Sequence, residues 1–449
     1  VDGCRHLQTG SSHRGHRVTD GASFPTTGDA VSIAREFWAL ECRAEPLAGE
    51  VDRNFLLITD NGERWILKIS REGADEQALD CQLQALRFLE PSPVADLVQK
   101  VLPTIDGRLL VPYGNRGGRP CWVRILSFLD GSPLVNHLDR PRSFIEEIGR
   151  TLARFDLALA GFDHPGAHRD LLWDIERTHE LGDYAEHVEE TAQREMVERH
   201  LERFVDVVAT QLTDLEHGFI HNDANDYNLM VQQRSRGKPV LTGLIDFGDS
   251  LHTVTVAELA IGAAYLMLNQ EDPLTTASFV TKGYNSVRPL STSEQGILFD
   301  LMKARLCASV LMSVRGLLLE PENEYLQISA LPVWRLLERI SMIDPDDATR
   351  IIEDACSQSS TPIRNTDEIL EVRRKHFGFN LSISYSEPLK IVRGEGQYLY
   401  DDGGRRYLDL VNNVCHIGHC HPQVVTAAHR QMAELNTNTR YLHDNLAEY

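Results

Sequence analysis

The stretch His221-Asn222-Asp223-Ala224-Asn225-Asp226-Tyr227-Asn228, with Ile245-Asp246-Phe247-Gly248-Asp249 a short way downstream, constrains this chain more than any other part of it. Each piece follows an apolar run that reads as a strand, Gly218-Phe219-Ile220 and Leu241-Thr242-Gly243-Leu244-Ile245. Two acids therefore stand at strand ends. An isolated Asp-x-x-x-x-Asn is a weak signal, because Asp and Asn are ordinary loop formers that bond their own backbone. Paired motifs on successive strand ends reverse that reading.

His-x-Asp-x-x-x-x-Asn followed by Asp-Phe-Gly is the catalytic-loop and metal-loop pattern of kinase-type phosphotransferases. In that pattern Asp223 accepts the proton of an attacking hydroxyl, while Asn228 and Asp246 hold Mg²⁺ on the nucleotide phosphates. The segment resembles the aminoglycoside phosphotransferase and choline kinase superfamily, which implies an α+β, two-lobed protein-kinase-like fold. Asn222 stands where protein kinases carry Arg, so docking of a phosphorylated activation loop on that Arg is not expected. Within the superfamily, residues 220–231 and 243–249 are most similar to the hydroxylysine kinase branch, whose substrates are small amino alcohols.

Upstream, a short amphipathic helix from Asp29 (Val31, Ala34, Phe37, Trp38) leads into apolar runs at 50–58 and 64–69. The turn Asp60-Asn61-Gly62-Glu63 between them signals a hairpin. It places Lys68 inside the second strand, where kinases keep the lysine that neutralises the α- and β-phosphates. A lone Lys in a strand is usually a solvated edge residue; its order, ahead of a helix and of the Asp223 and Asp246 motifs, favours the functional reading. The next helix, about 75–90, carries Leu79, Leu83, Leu86 and Leu89 on its core face. Glu76 and Asp80 lie one turn apart on one face, so either could reach Lys68; resemblance to the branch favours Asp80. The strand Trp122-Val123-Arg124-Ile125-Leu126-Ser127-Phe128 runs into a Gly turn at Gly131. By the same resemblance this is the hinge, where backbone groups around Leu126 and Phe128 receive the base. Backbone recognition leaves ATP and GTP unseparated.

The second lobe should open on a capping box at Ser143 and Glu146, with Ile148, Leu152, Phe155 and Leu159 as a helix core face. A helix at about 191–214 follows, then apolar helices at about 254–268 and 294–319, ending near Arg339. Leu172-Trp173-Asp174 and residues 321–326 also resemble the branch, and part of this region is expected to wall a substrate pocket. The polar, acid-rich interval 344–366 reads as a linker.

Past residue 367 the character changes. Two alternating strands joined by an Asp-Gly turn, between Glu387 and Asp409, read as a β-hairpin. Cys415, His416, His419, Cys420 and His421 suggest zinc, yet structural zinc sites usually draw ligands from two separated segments, and no second cluster appears nearby. Residues 387–449 resemble instead the amino-terminal portion of class III, fold-type I aminotransferases that use pyridoxal 5'-phosphate, with 412–422 and 435–444 especially similar to ethanolamine-phosphate and phosphohydroxylysine phospho-lyases. The implied fold is a truncated N-terminal part of an α/β fold-type I transferase. The Schiff-base lysine is absent from this chain, so pyridoxal phosphate belongs only to an intact aminotransferase domain, which the family would pair as a homodimer.

At 449 residues the chain should hold two to three domains. The expected order is a disordered leader at 1–25, a kinase-like domain at 26–343 with lobes of about 29–130 and 131–343, the linker at 344–366, and the aminotransferase fragment at 367–449. A net charge of −21 argues against a nucleic-acid partner. No apolar run is long enough for a membrane helix, and the leader lacks the apolar core of a signal peptide. Eight scattered cysteines read as reduced thiols in a cytoplasmic protein. Val1 and Tyr449 read as the ends of a fragment.

These readings together lead to a phosphotransferase that uses Mg²⁺ with ATP or GTP on the hydroxyl of a small cationic amino alcohol. Phosphorylating a hydroxyl beside an amino-bearing carbon prepares a substrate for pyridoxal-assisted elimination of phosphate, which gives the fusion a chemical sense. The alternatives are transamination as the main activity of the intact polypeptide, with an accessory kinase, and a non-catalytic kinase-like binding module.

Overall fold

The computed structural model describes residues 25–47, 49, 51–114, 119–137, 140–233, 239–321, 324–357, 366–378, 389–401, 405–410, 416–421, 424, 427 and 428. The leader at 1–24, the end of the linker at 358–365, and Cys415 lie outside the described residues. The chain divides into two compact units, one of residues 1–76 and 101–128, the other of 77–100 and 129–449.

The first unit is a sheet backed by a helix. Helix α1 (Thr27–Trp38) starts on a capping box, Thr26 with Asp29, and buries Ile33, Ala34 and Trp38. Strands β1 (Cys42–Leu47), β2 (Arg53–Thr59) and β3 (Arg64–Ile69) form an antiparallel meander. With β4 (Val101–Leu102), β5 (Val111–Tyr113) and β6 (Cys121–Ser127) they make a six-stranded sheet in the order β1-β2-β3-β6-β4, β5 also pairing with β6. Alternation along β2 and β3 turns Phe55, Leu57, Leu67 and Ile69 toward α1. The expected hairpin is present, with Asn54 opposite Lys68.

The second unit takes α2 (Glu76–Leu89), all but its first residue. The first lobe expected from sequence was continuous from about 29 to 130; packing explains why 77–100 fall elsewhere. Phe88 packs at a tilt against Phe162, and Phe162 edge-on against Phe219, with ring centroids 5.3 and 4.7 Å apart. A Cβ on Gly166 would lie 2.2 Å from the Gln77 carbonyl, so the turn after Pro165 presses on the start of α2.

After β7 (Ser132–Pro133) comes α3 (Arg142–Leu159). The capping box expected at Ser143 and Glu146 is absent: Pro141 is the N-cap, with no side-chain cap bond. Ser143 already lies inside the first turn, and Glu146 accepts instead from Arg142 Nε at 2.8 Å. The helix expected over 191–214 is α4 (Thr191–Arg203), a wide π turn at Phe204–Val208 and α5 (Ala209–Leu212).

Strand β8 (His217–Ile220) ends at the first motif, and β9 (Leu229–Gln233) leaves it. β10 (Pro239–Leu244) pairs with β9 and ends at the second motif, and β11 (Leu251–Val254) returns to pair with β8. Both acids thus sit where two small antiparallel ladders end. Behind them stand α6 (Val256–Leu266), α7 (Pro273–Asn285), α8 (Thr292–Leu319) and α9 (Glu324–Ser341). α8 starts on a capping box of Ser291 and Glu294. α3 and α7 touch backbone to backbone: a Cβ on Gly283 would lie 1.9 Å from the Glu146 carbonyl, and one on Gly149 would lie 2.0 Å from that of Val280.

Most of the interval expected as a linker is helix α10 (Pro345–Ser357). Ala348, Ile352 and Ala355 recur at helical spacing and are buried, and Asn285 Nδ2 donates to the Cys356 carbonyl at 3.1 Å. The acids between those three positions disguised the stripe. Helix α11 (Thr366–His376) follows, then β12 (Ile391–Glu395), β13 (Tyr398–Asp401) and β14 (Arg406–Leu408) as an antiparallel three-stranded sheet. The expected hairpin therefore carries a third strand; its Asp402-Gly403 turn lies outside the described residues.

Candidate active site

The residues of both motifs converge in the second unit. His221 is fully buried, and both ring nitrogens are used. Nε2 is 3.0 Å from the Ile245 carbonyl and Nδ1 is 3.2 Å from the Asp223 amide nitrogen. A carbonyl needs a donor and an amide needs an acceptor, which fixes the neutral Nε2–H tautomer. Burial pushes this imidazole down to about 4, against the Ile245 carbonyl and Asp246. His221 is thus a strut that ties the loop after β8 to the loop after β10.

Asn222 and Asp246 both hold left-handed backbone, φ 63° and 64°. Asn and Asp tolerate this conformation better than bulkier residues, and such strain persists only where the surroundings enforce it. The Asn222 amide donates to Glu258 Oε2 at 2.9 Å, and its Nδ2 donates to the Asp249 carbonyl at 3.1 Å. Asp246 Oδ1 caps the short 3₁₀ turn Phe247–Asp249 through the Gly248 amide.

Asp223 follows with its carboxylate clamped. Oδ1 accepts from Arg305 Nη2 at 2.8 Å and Oδ2 from Asn228 Nδ2 at 2.8 Å, while Asn225 Nδ2 reaches both oxygens at 3.1 and 3.0 Å. Burial raises Asp223 to about 7; Arg305 opposes that rise, and Asp249 and Asp246 add to it. A carboxyl poised near neutrality is suited to general-base work.

Asn228 Nδ2 also donates to the Asp223 carbonyl at 2.9 Å, so both amide protons point at Asp223 and Oδ1 is the acceptor left for a cation. Asn228 Oδ1 and the Asp246 carboxylate are hard-oxygen donors of the kind Mg²⁺ takes, an ion commonly held by one or two protein oxygens together with substrate phosphates. Among the described residues no group of three or more His, Cys, Asp or Glu forms a metal cage, His416, His419, Cys420 and His421 included. His419 Nε2 instead lies 2.7 Å from Asp409 Oδ2.

The remaining expected residues divide between the units. Lys68 lies on β3 of the first unit, its Nζ 3.8 Å from Asp52 Oδ2, and the same oxygen takes Arg124 Nη2 at 2.7 Å. Arg124 faces Lys68 across the β3–β6 ladder. Leu126 is buried between β3 and β4, and the Phe128 amide donates to the Arg64 carbonyl at 3.1 Å, so that N–H is spent inside the sheet. Asp80, in the second unit, accepts from Gln84 Nε2 at 3.3 Å and lies 3.2 Å from His164 Nε2.

Sequence reasoning missed Arg305, Glu258 and Asp52. Arg305 and Glu258 have a signal in retrospect: Glu258 is the one charge in α6, and Arg305 on α8 has no acid three or four residues away to pair it. Asp52 has none, because a single acid before a strand is ordinary. No helix among the described residues is long and apolar enough to cross a membrane.

Residues 43–289 match the family described as "Phosphotransferase enzyme family", and 382–448 match "Aminotransferase class-III". Hydroxylysine kinase of Bos taurus is 27% identical over 74% of this chain and 93% of its own length, and that of Mus musculus is 29% identical over 66% and 84%. An alanine–glyoxylate aminotransferase 2-like protein of Drosophila melanogaster is 54% identical, but over 18% of this chain and 17% of its own length. Among solved structures, an amicoumacin kinase in complex with AMP-PNP and Ca²⁺ superposes with a TM-score of 0.55 at 15% identity, covering 71% of this chain and 96% of that one. A microcompartment-associated aminopropanol kinase gives 0.50 at 18%, covering 73% and 94%. These two likenesses show the kinase-like fold; the family match spans more than half of the sequence, and the chain therefore belongs to the phosphotransferase enzyme family.

Proposed function

We propose that this chain transfers the terminal phosphoryl group of a Mg²⁺-bound nucleoside triphosphate to the hydroxyl of a small amino alcohol, hydroxylysine- or ethanolamine-like. The observation that carries the reading is the Asp223 carboxylate, clamped by three donor side chains and raised by burial to about 7, beside an amide and a carboxylate suited to Mg²⁺. Asp223 takes the proton of the acceptor hydroxyl as the oxygen attacks phosphorus. Asn228 and Asp246 hold the cation, whose charge neutralises the phosphates. Lys68 takes the α- and β-phosphates, and backbone groups near Leu126 and Phe128, other than the Phe128 N–H, receive the base. Rate enhancement comes from positioning and electrostatics, since phosphoryl transfer needs little covalent help. Relatives named hydroxylysine kinase support the acceptor class. The acids Asp223, Asp246 and Asp249 favour an acceptor that carries an ammonium group.

The match at 382–448 supports a second step in an intact polypeptide, pyridoxal-phosphate chemistry on the phosphorylated product. The residues present do not by themselves fit that cofactor. Past residue 366 the chain has two lysines, Lys375 exposed on α11 and Lys390 just ahead of β12, and neither stands at the end of a strand.

Nucleoside diphosphate release with Mg²⁺ and ATP or GTP, across a panel of amino alcohols and aminoglycosides, tests the transfer. Asp223→Asn should lower turnover by roughly 10²–10⁴-fold with nucleotide affinity nearly unchanged. Turnover retained in that variant would sink the assignment.

A further inference from the structure

Arg305 lies in the middle of α8 with its side chain 2% exposed, 82 residues from the acid it pairs with. An unpaired buried guanidinium is costly, and this one is partnered on every side. Its Nη2 donates to Asp223 Oδ1 at 2.8 Å, Nη1 to the Trp173 carbonyl at 3.2 Å and Nε to the Tyr265 hydroxyl at 3.3 Å. The guanidinium plane lies over the Trp173 ring at 4.5 Å and near that of Tyr265 at 5.4 Å. Trp173, which sequence left without a role, is therefore half of the sleeve that aims Arg305. Of its neighbours on α8, Leu301, Met302, Leu306 and Cys307 are buried and non-ionic, and the buried Lys303 is paired with Asp300 at 2.6 Å.

The charges facing Asp223 come from several elements. Arg305 comes from α8, Asp246 and Asp249 from the loop after β10, and the uncharged donors Asn225 and Asn228 from its own loop. Arg169, the other cation near Asp249, gives its Nη2 to the Gly248 and Ser250 carbonyls. Arg305 is thus the cation that touches the Asp223 carboxylate itself. Its bond to Oδ1 and that of Asn228 to Oδ2 pin the carboxylate from both ends.

We infer that Arg305 is the positioning residue of the phosphotransfer site: held by Trp173 and Tyr265, it fixes the rotamer in which the Asp223 carboxylate meets the acceptor hydroxyl. This rests on the function proposed above. Lysine cannot replace it, because a single ammonium cannot bond Asp223, Trp173 and Tyr265 together in a planar fork. A carboxylate free to turn loses the near-attack geometry while the nucleotide contacts remain.

The test uses the full chain with Arg305→Ala and Arg305→Lys, reading kcat, nucleotide KM, thermal midpoint, and hydrogen exchange of residues 221–228. Expected for Arg305→Ala are a kcat lowered about 100-fold or more, nucleotide KM within about threefold of wild type, faster exchange in 221–228, and saturable rescue by added guanidinium. Arg305→Lys should recover less than a tenth of the lost rate. A kcat within about threefold of wild type would overturn the inference, as would loss of kcat and nucleotide binding together with no response to guanidinium, which marks a structural role. Should wild type transfer to no hydroxyl acceptor, the kinase reading fails on its own; Arg305 is then judged by exchange, and unchanged protection in 221–228 overturns it.

Discussion

Replacement of Glu258 separates two reasons for burying a carboxylate behind the site. Glu258 is fully buried on α6, its Oε2 accepting from the Asn222 amide at 2.9 Å, while Oε1 has no hydrogen-bond partner among the described residues. Burial raises it to about 7, against the Asn222 and His221 amides. Asp156, fully buried near it, is raised well above the usual carboxylate range, by burial first and Glu258 second. Glu258→Ala strands the Asn222 N–H, at a cost of about 1–3 kcal/mol. It also removes one buried methylene, roughly 0.8 kcal/mol, so about 2–4 kcal/mol of stability should be lost. Glu258→Gln keeps the shape and one acceptor oxygen and resembles the protonated acid, so its cost should stay under about 1 kcal/mol near neutral pH.

The sign of the pH effect follows from the raised value. The folded state holds the Glu258 proton up to about 7, whereas the unfolded chain releases it near the ordinary 4.5. Stability from this group is therefore full below the unfolded value and is lost as pH rises through about 7. Glu258→Gln should remove that decline. Urea midpoints from about pH 4 to 8, spanning the two values, together with kcat, measure both effects. Equal destabilisation of the Gln and Ala variants would refute the reasoning, because it would mean that the charge matters and the N–H partnership does not.

Two further outcomes follow from packing and burial. Gly283→Ala should destabilise by about 2–3 kcal/mol, although Ala is the better helix former, because its Cβ would meet the Glu146 carbonyl at 1.9 Å; an unchanged thermal midpoint would show that α3 and α7 can part freely. His221 has a folded-state value of about 4, below the ordinary 6.5, so its contribution is full above 6.5 and is lost as pH falls toward 4, reaching roughly 3 kcal/mol. Asp223 and Glu258 titrate with the opposite sign, so the readout is the difference between wild type and His221→Asn, whose midpoint should fall less steeply on acidification.

The core of the site was legible in the sequence because its chemistry is local. The spacing from Asp223 to Asn228 and the later Asp246 lie within single strand-to-loop transitions, and strand ends can be read from apolar runs. The Lys68 hairpin was legible for the same reason, since an Asp-Asn-Gly turn between apolar runs needs no tertiary contact. The capping box at Ser143 was misplaced because Pro141 caps α3 two residues earlier than the Ser-x-x-Glu pattern suggests.

What tertiary structure alone decided is how the charges are partnered. Arg305 reaches Asp223 across 82 residues, Glu258 reaches Asn222 across 36, and Asp52 reaches Arg124 across 72. No periodicity links such positions, because an ion pair depends on which helix faces which loop. The same holds for α10, whose buried stripe became visible only against α7 and α8. The sequence by itself determined which groups could do chemistry and on which strand ends they stand. The tertiary fold decided which of them are buried, how far burial moves their protonation, and which cation holds the central carboxylate still.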